Sequence, residues 1–280
     1  MDRAASIAAI HLTIADLPRS LRFYQERLGL RLHRQDEGSA VLGAGGHDWL
    51  FLTESASAPR AHRTTGLYHF AILVPSRADL ARALRRLVET RTMMQGFADH
   101  AVSEAIYLAD PDGNGIEIYR DRPRADWPWL NGALQMGSEP LDVEKLLAEA
   151  RPAGGDYRIP KGTFIGHMHL HVSDLDEAER FYRDALGFDL IMRYGHSAAF
   201  LSAGGYHHHV AVNTWAGVGA PPPPPGAIGL RHFAIHVSDK AALANVEASI
   251  RRAGLAPDVS EGRVAVADPA GNHVSVEIGV

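Results

Sequence analysis

Two residues on neighbouring apolar segments carry side chains that could bind a metal ion. His69 lies in residues 66–74, whose composition is typical of a buried strand, and Glu117 lies in the strand predicted after the turn at Asp110. An imidazole or a carboxylate on an apolar strand needs a hydrogen bond, an ion or a metal to offset its lost hydration. Two such groups in one module suggest a shared partner, and a metal ion is one that suits both.

The composition limits which metal this would be. The chain has 280 residues with no cysteine and 16 histidines, which excludes disulfides, thiolate metal sites and cysteine nucleophiles. Imidazole and carboxylate ligands suit iron(II), manganese(II) or zinc. With 46% hydrophobic and 22% charged residues, the composition is that of an ordinary globular protein, and the length favours two domains.

Charge and hydropathy argue against several classes of partner. The net charge is -5 and neither sign forms long runs, so we expect no binding to nucleic acid or to an anionic membrane surface. No cationic segment followed by an apolar run opens the chain, and no apolar run approaches the length of a membrane span. A cytoplasmic location is therefore expected.

The sequence repeats itself, and this organises the chain into four modules. The first quarter matches the third, and the second matches the fourth. The clearest matching segments are 28–32 with 186–190, 66–74 with 229–237, and 109–114 with 267–272.

Each module is predicted to contain one strand, one helix and then three strands. The fold class expected is α+β, with four βαβββ modules paired into two cupped mixed sheets. Helices are expected after Asp16 and Asp174 and at about 77–90 and 240–253, and a short one within the connector at 141–150. The predicted domains are 1–120, with modules 8–54 and 67–120, a connector at 121–162, and 163–280, with modules 164–214 and 229–280.

Three motifs carry a resemblance to a known family. They are residues 165–174 (IGHMHLHVSD), 204–213 (GGYHHHVAVN) and 99–119 (DHAVSEAIYLADPDGNGIEIY). Over nearly its whole length the chain resembles the vicinal oxygen chelate superfamily, and within it the type I extradiol dioxygenases, closest to bacterial catechol 2,3-dioxygenases. The resemblance implies the glyoxalase-dioxygenase fold, iron(II) with manganese(II) as the alternative, a catecholic substrate with dioxygen, and a homo-oligomer.

The repeat indicates which modules keep metal ligands. The aligned positions are Ala9, His69, His167 and His232 on the first strands, and Glu117 and Ser275 on the last strands of modules two and four. In module four the nearest carboxylate, Glu277, is displaced by two residues, so only module two keeps histidine and glutamate in register. His232 and Glu277 are therefore taken as remnants of a degenerate second site, with their own metal binding left open.

His69, Glu117 and His167 remain as the predicted metal ligands. Two imidazoles and one carboxylate on one face of an octahedral iron(II) leave three positions open, enough for a chelating catecholate and dioxygen. The alternative is that these are core histidines with ordinary hydrogen-bond partners. Three matching positions at once make that alternative the weaker one.

The resemblance also implies three residues that act on the substrate. His208 matches an acid/base histidine, and His100 and Tyr107 match a pair that hydrogen-bonds the bound substrate. His208 is predicted on the fourth strand of module three, where alternation would place it opposite His207 and His209. Tyr119, two residues past Glu117, is expected on the same side of its strand.

The function expected from these residues is extradiol cleavage of a catechol to a muconic semialdehyde. Modules two and three are expected to form the metal-binding pair and modules one and four the empty counterpart. A glyoxalase-type lyase or isomerase, with a fourth protein ligand, is one rival. A metal-free binding protein of the bleomycin-resistance kind is the other.

Overall fold

The structure is a computed structural model that describes residues 1–150 and 157–279. Residues 151–156 of the predicted connector and residue 280 of the predicted last module lie outside the described residues.

All four modules follow the predicted plan of strand, helix and three strands. Module one comprises β1 (Ser6–Ile14), α1 (Leu17–Arg22), β2 (Arg31–Asp36), β3 (Ser39–Ala44) and β4 (His47–Glu54). Module two comprises β5 (Gly66–Leu73), α2 (Arg77–Glu89), β6 (Met94–Asp99), β7 (Ser103–Ala109) and β8 (Gly115–Asp121). The connector contributes β9 (Trp129–Leu130), β10 (Ala133–Leu134) and α3 (Val143–Glu149).

The second half of the chain repeats the pattern. Module three comprises β11 (Phe164–His171), α4 (Leu175–Arg180), β12 (Asp189–Tyr194), β13 (Ala198–Ser202) and β14 (Val210–Asn213). Module four comprises β15 (Gly229–Val237), α5 (Lys240–Arg252), β16 (Asp258–Ser260), β17 (Arg263–Ala267) and β18 (His273–Ile278).

Two eight-stranded sheets contain these modules. Sheet I has the order β16-β17-β18-β15-β1-β4-β3-β2, and sheet II has the order β12-β13-β14-β11-β5-β8-β7-β6. In each module the first strand pairs in parallel with the last where the register is given, as β5 does with β8, whereas successive strands pair antiparallel. The predicted α+β class with mixed sheets is confirmed, and the strand order joins module two to module three and module four to module one.

Local sequence signals explain where the first helix starts and stops. Asp16 adopts an extended conformation and its side chain accepts a hydrogen bond from the backbone N–H of Arg19, which satisfies one of the free donors of the first turn. The helix then widens into a π-helical turn, Phe23–Arg27, and ends at Gly29, whose φ of 72° is left-handed. Asp174 and Gly187 play the same parts in module three.

Contact density divides the chain into two compact units. One consists of Met1–Thr13, Ala58–Tyr68 and Gly166–Val280, and the other of Ile14–Ser57 and His69–Ile165. In the second unit, the connector helix α3 packs against α2. Within the residues that the structure describes, no helix combines the length and the apolar character needed to cross a membrane.

Candidate metal centre

The pairing of β5 with β8 brings His69 close to Glu117. The two strands are parallel and Ala71 lies opposite Glu117, two residues beyond His69. His69 Nε2 lies 3.0 Å from Glu117 Oε2, and the two residues are only 6% and 2% exposed. A carboxylate this deeply buried needs a positive or hydrogen-bonding neighbour to offset its desolvation. The imidazole of His69 is one such neighbour.

His167, on β11, completes a group with these two residues. It is 2% exposed. One ring nitrogen of His167, one of His69 and one carboxylate oxygen of Glu117 all lie within 4.8 Å of one another. Among the described residues, this is the one group of three or more histidine, cysteine, aspartate or glutamate side chains with the spacing of a metal site. The structure thus brings the three predicted ligands together.

The donor set fits a divalent transition metal. Two imidazoles and one carboxylate, with no thiolate in the chain, favour iron(II), manganese(II) or zinc over copper(I). Three protein ligands leave part of an octahedral coordination sphere for a substrate.

The turn before β8 sets where Glu117 lies. Asp110 Oδ1 accepts hydrogen bonds from the backbone N–H groups of Asp112 and Asn114, both at 2.9 Å. Its Oδ2 accepts from Asn114 Nδ2 at 2.9 Å and from the hydroxyl of Tyr24 at 2.8 Å. Such a network fixes Asn114, the residue just before β8 and three residues before Glu117. Burial raises the pKa of Asp110, and burial beside Asp110 raises that of Tyr24 well above its ordinary value.

Module four contains the same turn without the ligand. Asp268 accepts from Asn272 at its backbone and side chain and from the Tyr182 hydroxyl, the last at 3.1 Å. On the strand that follows, Ser275 lies opposite Ala234, just as Glu117 lies opposite Ala71. The turn therefore serves the fold in both modules, and only module two carries a predicted metal ligand after it.

In sheet I, two stacked histidine rings lie at the place that corresponds to the candidate metal centre of sheet II. His232 lies opposite His11 in the pairing of β1 with β15, and the two imidazoles stack with centroids 3.9 Å apart. Burial is the main cause that lowers the pKa of His11 to about 3 and that of His232 to about 4, so both rings are neutral. Glu277 accepts a hydrogen bond from Ser275 Oγ at 2.8 Å. Among the described residues, no group of three or more histidine, cysteine, aspartate or glutamate side chains with the spacing of a metal site is found here.

His100 and Tyr107 lie beside the ligands of module two. Tyr107 pairs with Glu117 across β7 and β8, and its ring lies 5.6 Å from that of His69. Its hydroxyl lies 2.7 Å from His100 Nε2. The other ring nitrogen of His100, Nδ1, lies 2.7 Å from the carbonyl oxygen of Gly137 in the connector, a partner for which the sequence offers no signal.

The predicted strand position of His208 is wrong. Residues 206–209 form a loop, and β14 begins only at Val210, because Gly204 and Gly205 turn the chain with φ of 63° and 72°. All three histidines of the run are buried, so they do not alternate between inside and outside.

Within that loop, the ring of His207 lies 5.9 Å from that of His167 between centroids, and His208 lies closer to His167. Their ring centroids are 4.0 Å apart, and His208 is 9% exposed. His209 points elsewhere: its Nδ1 accepts from the backbone N–H of Ala203 at 3.2 Å and lies 3.0 Å from Ser202 Oγ. His207 packs on Tyr206 with ring centroids 4.0 Å apart. Strand alternation therefore does not explain how the three histidines are arranged, and the acid/base role of His208 stays a prediction.

An aromatic cluster near His167 was missed by sequence reasoning. Tyr68 lies 5.0 Å from His169 and 5.2 Å from Trp215, measured between ring centroids. Phe200 lies 5.1 Å from His208 and 5.9 Å from His169. A signal existed, since every second residue of a strand shares a face and His169 follows His167 by two. Tyr119, in contrast, packs in a buried cluster with Ala71 and Ala105.

Comparisons with known proteins agree with this fold. The family model described as Glyoxalase/Bleomycin resistance protein/Dioxygenase superfamily matches residues 6–118 and 164–276. The chain is 46% identical over 266 residues to catechol-2,3-dioxygenase of Bacillus subtilis, covering 92% of each protein.

Solved structures add likeness at the level of the fold. Glyoxalase I from Zea mays superimposes with a TM-score of 0.59 at 19% identity, covering 98% of this chain and 92% of that one. A Bacillus subtilis protein superimposes with a TM-score of 0.66 at 16% identity, covering 98% and 84%. Because the family model matches most of both halves and the 46% identity spans most of the chain, the protein belongs to the Glyoxalase/Bleomycin resistance protein/Dioxygenase superfamily, as its resemblance to vicinal oxygen chelate proteins predicted.

Proposed function

We propose that this protein is an extradiol dioxygenase that cleaves the ring of a catechol, or of a substituted catechol, next to its two hydroxyl groups and yields a muconic semialdehyde. The observation that carries the proposal is the buried group His69, Glu117 and His167 in a chain 46% identical to a catechol-2,3-dioxygenase. Iron(II) is the proposed metal, with manganese(II) as the alternative.

The three ligands define what a bound metal would contribute. When bound by His69, Glu117 and His167, the metal would supply a Lewis acid for the two catechol oxygens and the redox chemistry with dioxygen. Glu117 brings one negative charge to the site, which balances part of the charge of a divalent ion.

His208 is the proposed acid/base residue. It is nearly buried and its ring lies against that of the ligand His167, so a proton donated to it leaves the substrate without passing through bulk water. Histidine suits this task because its ring exchanges protons near neutral pH.

His100 and Tyr107 are proposed to bind the substrate oxygens. Their mutual hydrogen bond orients the phenol of Tyr107 beside His69. On the side of His167, the rings of Tyr68, Trp215 and Phe200 offer apolar surface to an aromatic substrate and reduce the access of water.

One observation favours the glyoxalase-type alternative. The ring of His208 lies 4.0 Å from that of His167 between centroids, which makes His208 a candidate for a fourth metal ligand. A lyase or isomerase of that type would use a fourth ligand. The nitrogens of His208, however, do not join the group of ligand atoms that lie within 4.8 Å of one another. The proposal therefore assigns His208 to proton transfer.

The decisive experiment combines metal analysis with oxygen uptake. Protein purified without oxygen and loaded with iron(II) is mixed with catechol in an oxygen electrode while the yellow ring-fission product is followed by absorbance. We expect one dioxygen consumed per catechol, and no activity from Glu117→Gln. Full turnover by metal-free protein would contradict the proposal, and conversion of a hemithioacetal without oxygen uptake would favour the glyoxalase type.

Three further expectations remain proposals. We propose that the enzyme is a cytoplasmic homo-oligomer, and that residues 1–120 and 163–280 behave as domains joined by the connector. Cell fractionation tests the location, light scattering of the purified protein tests the oligomeric state, and limited proteolysis tests the domains.

A further inference from the structure

We propose that the connector decides which way the hydrogen bond between His100 and Tyr107 runs, through the carbonyl group of Gly137, so that Tyr107 offers the site an acceptor rather than a donor. The proposal rests on the proposed function only for what Tyr107 then binds. The orientation itself concerns three groups of this chain.

The connector is clamped to the edge of β6 where His100 begins its turn. The backbone N–H of Asp99 donates to the Glu139 carbonyl at 2.8 Å, and that of Glu139 donates back to the Asp99 carbonyl at 2.9 Å. The N–H of Gly137 donates to the carbonyl of His100 at 3.2 Å. This isolated antiparallel bridge thus holds the main chain of His100 and Gly137 side by side.

Ion pairs support the clamp from its two ends. The Asp99 carboxylate accepts from the backbone N–H of Ala101 at 2.9 Å and pairs with Arg122 at 2.5 Å. Farther along the connector, Glu149 of α3 pairs with Arg77. The same Arg77 also binds the buried Glu104 at 2.8 Å, which ties α3 to the outer face of β7. The connector is therefore anchored next to Gly137 by the backbone bonds of Glu139 and again at its helix α3 by Arg77.

The protons follow from what each group can do. A carbonyl oxygen only accepts, so His100 Nδ1, 2.7 Å from the Gly137 oxygen, carries the hydrogen. In the neutral ring Nε2 then has a lone pair, and at 2.7 Å it accepts the single proton of the Tyr107 hydroxyl. The opposite tautomer would set a lone pair of Nδ1 against the lone pairs of the carbonyl.

This direction has a consequence for the bound ring. Because the Tyr107 hydroxyl donates its hydrogen bond to His100, its oxygen can only accept a hydrogen bond from the substrate. It therefore favours a substrate that still carries an O–H group at that point. Without the Gly137 carbonyl, the ring could take the other tautomer and Tyr107 would donate instead. Gly137 thus acts as a positioning residue through its main chain.

Nitrogen NMR of the imidazole tests the tautomer directly. Full-length protein is labelled with ¹⁵N-histidine and loaded with zinc(II), a diamagnetic ion, and the His100 signals are those that vanish in His100→Gln. We expect a proton on Nδ1 and a pyridine-like shift for Nε2. A proton on Nε2, whether or not Nδ1 is also protonated, overturns the proposal. This readout needs no turnover, so it stands or falls separately from the dioxygenase activity.

A matched pair of connector variants tests the role of the clamp. Glu139→Pro removes the N–H that donates to Asp99, whereas Glu139→Ala keeps it. Metal content is measured in both. We expect Glu139→Pro to show a mixture of the two His100 tautomers and to lose about 10-fold in kcat/KM for catechol, as is common when a supporting partner is removed. Glu139→Ala should match the parent protein. Equal tautomer populations in parent and Glu139→Pro protein overturn the role of the clamp, and if that variant does not fold, the parent spectrum still decides the tautomer.

Discussion

Sheets I and II have the same strand order, and the same type of turn precedes β18 in sheet I and β8 in sheet II. The two sheets differ in the side chains that follow this turn. In sheet II the strand after the turn supplies Glu117 to a buried group with two imidazoles. In sheet I the equivalent position is Ser275, whose hydroxyl donates to Glu277. The network around Asp268 is nevertheless as complete as that around Asp110.

The difference separates what the fold needs from what the reaction needs. The buried Asp-Tyr contact and the Asx-type turn recur in both halves, so they stabilise the module regardless of metal. The ligand position does not recur, since a serine leaves the sheet intact. In sheet I, which carries Ser275 at that position, His11 and His232 stack as neutral rings.

The largest difference between the two sheets is expected in metal content, when a residue of the candidate metal centre in sheet II is removed and compared with removal of His232 in sheet I. Glu117→Ala or His69→Ala is expected to abolish metal binding and activity, because two ligands cannot hold a divalent ion in this set. His232→Ala should leave metal stoichiometry nearly unchanged. Metal analysis by plasma mass spectrometry checks both. Metal lost from His232→Ala but retained in His69→Ala would place the active site in sheet I.

Changing the acid/base residue should give the next largest effect. His208→Asn is expected to retain the metal and to slow turnover by ~10²–10⁴-fold, as is usual for the loss of a general acid or base. The matched control is His209→Asn, whose ring hydrogen-bonds to Ser202 and Ala203 and should affect stability rather than kcat. Loss of metal from His208→Asn would instead make His208 a ligand.

The two buried tyrosines allow the turns themselves to be compared. Tyr24→Phe and Tyr182→Phe each remove one hydrogen bond to a buried carboxylate, and each should reduce the free energy of unfolding by about 1–3 kcal/mol. Only Tyr24→Phe should also weaken metal binding, because its turn precedes Glu117. Urea unfolding and metal titration are the measurements. Equal metal affinity in both variants would show that the turn does not position the ligand.

The stacked histidines of sheet I should make the protein sensitive to acid. Their folded pKa values, about 3 and about 4, lie below the ordinary value of 6.5, so the unfolded chain binds more protons as the pH falls below about 6.5. Stability is therefore expected to decrease from pH 6.5 towards pH 4.

A double variant checks the source of that sensitivity. His11→Phe with His232→Phe retains stacked rings and should flatten the decrease between pH 6.5 and pH 4, as followed by urea unfolding at several pH values. His47→Phe, at an exposed position, is the control and should leave the slope unchanged. An unaltered slope in the double variant would assign the acid sensitivity to other groups.

Much of the fold and of the ligand set followed from the sequence alone. The internal repeat placed His69, Glu117 and His167 at equivalent or neighbouring positions, and strand periodicity with Asp caps and Gly stops located the helices. These features are local or repeated, so spacing along the chain is enough to find them. The absence of cysteine restricted the donors to nitrogen and oxygen.

Only the tertiary structure decided how the surroundings of those residues are arranged. The loop of His208 escaped prediction because Gly204 and Gly205 interrupt the alternation that a strand would have. The contact between His100 and Gly137 spans 37 residues and uses a main-chain oxygen, which every residue type possesses. Residue types can therefore indicate which side chains are candidate metal ligands, whereas the backbone groups that contact their neighbours depend on which distant segments the fold brings together.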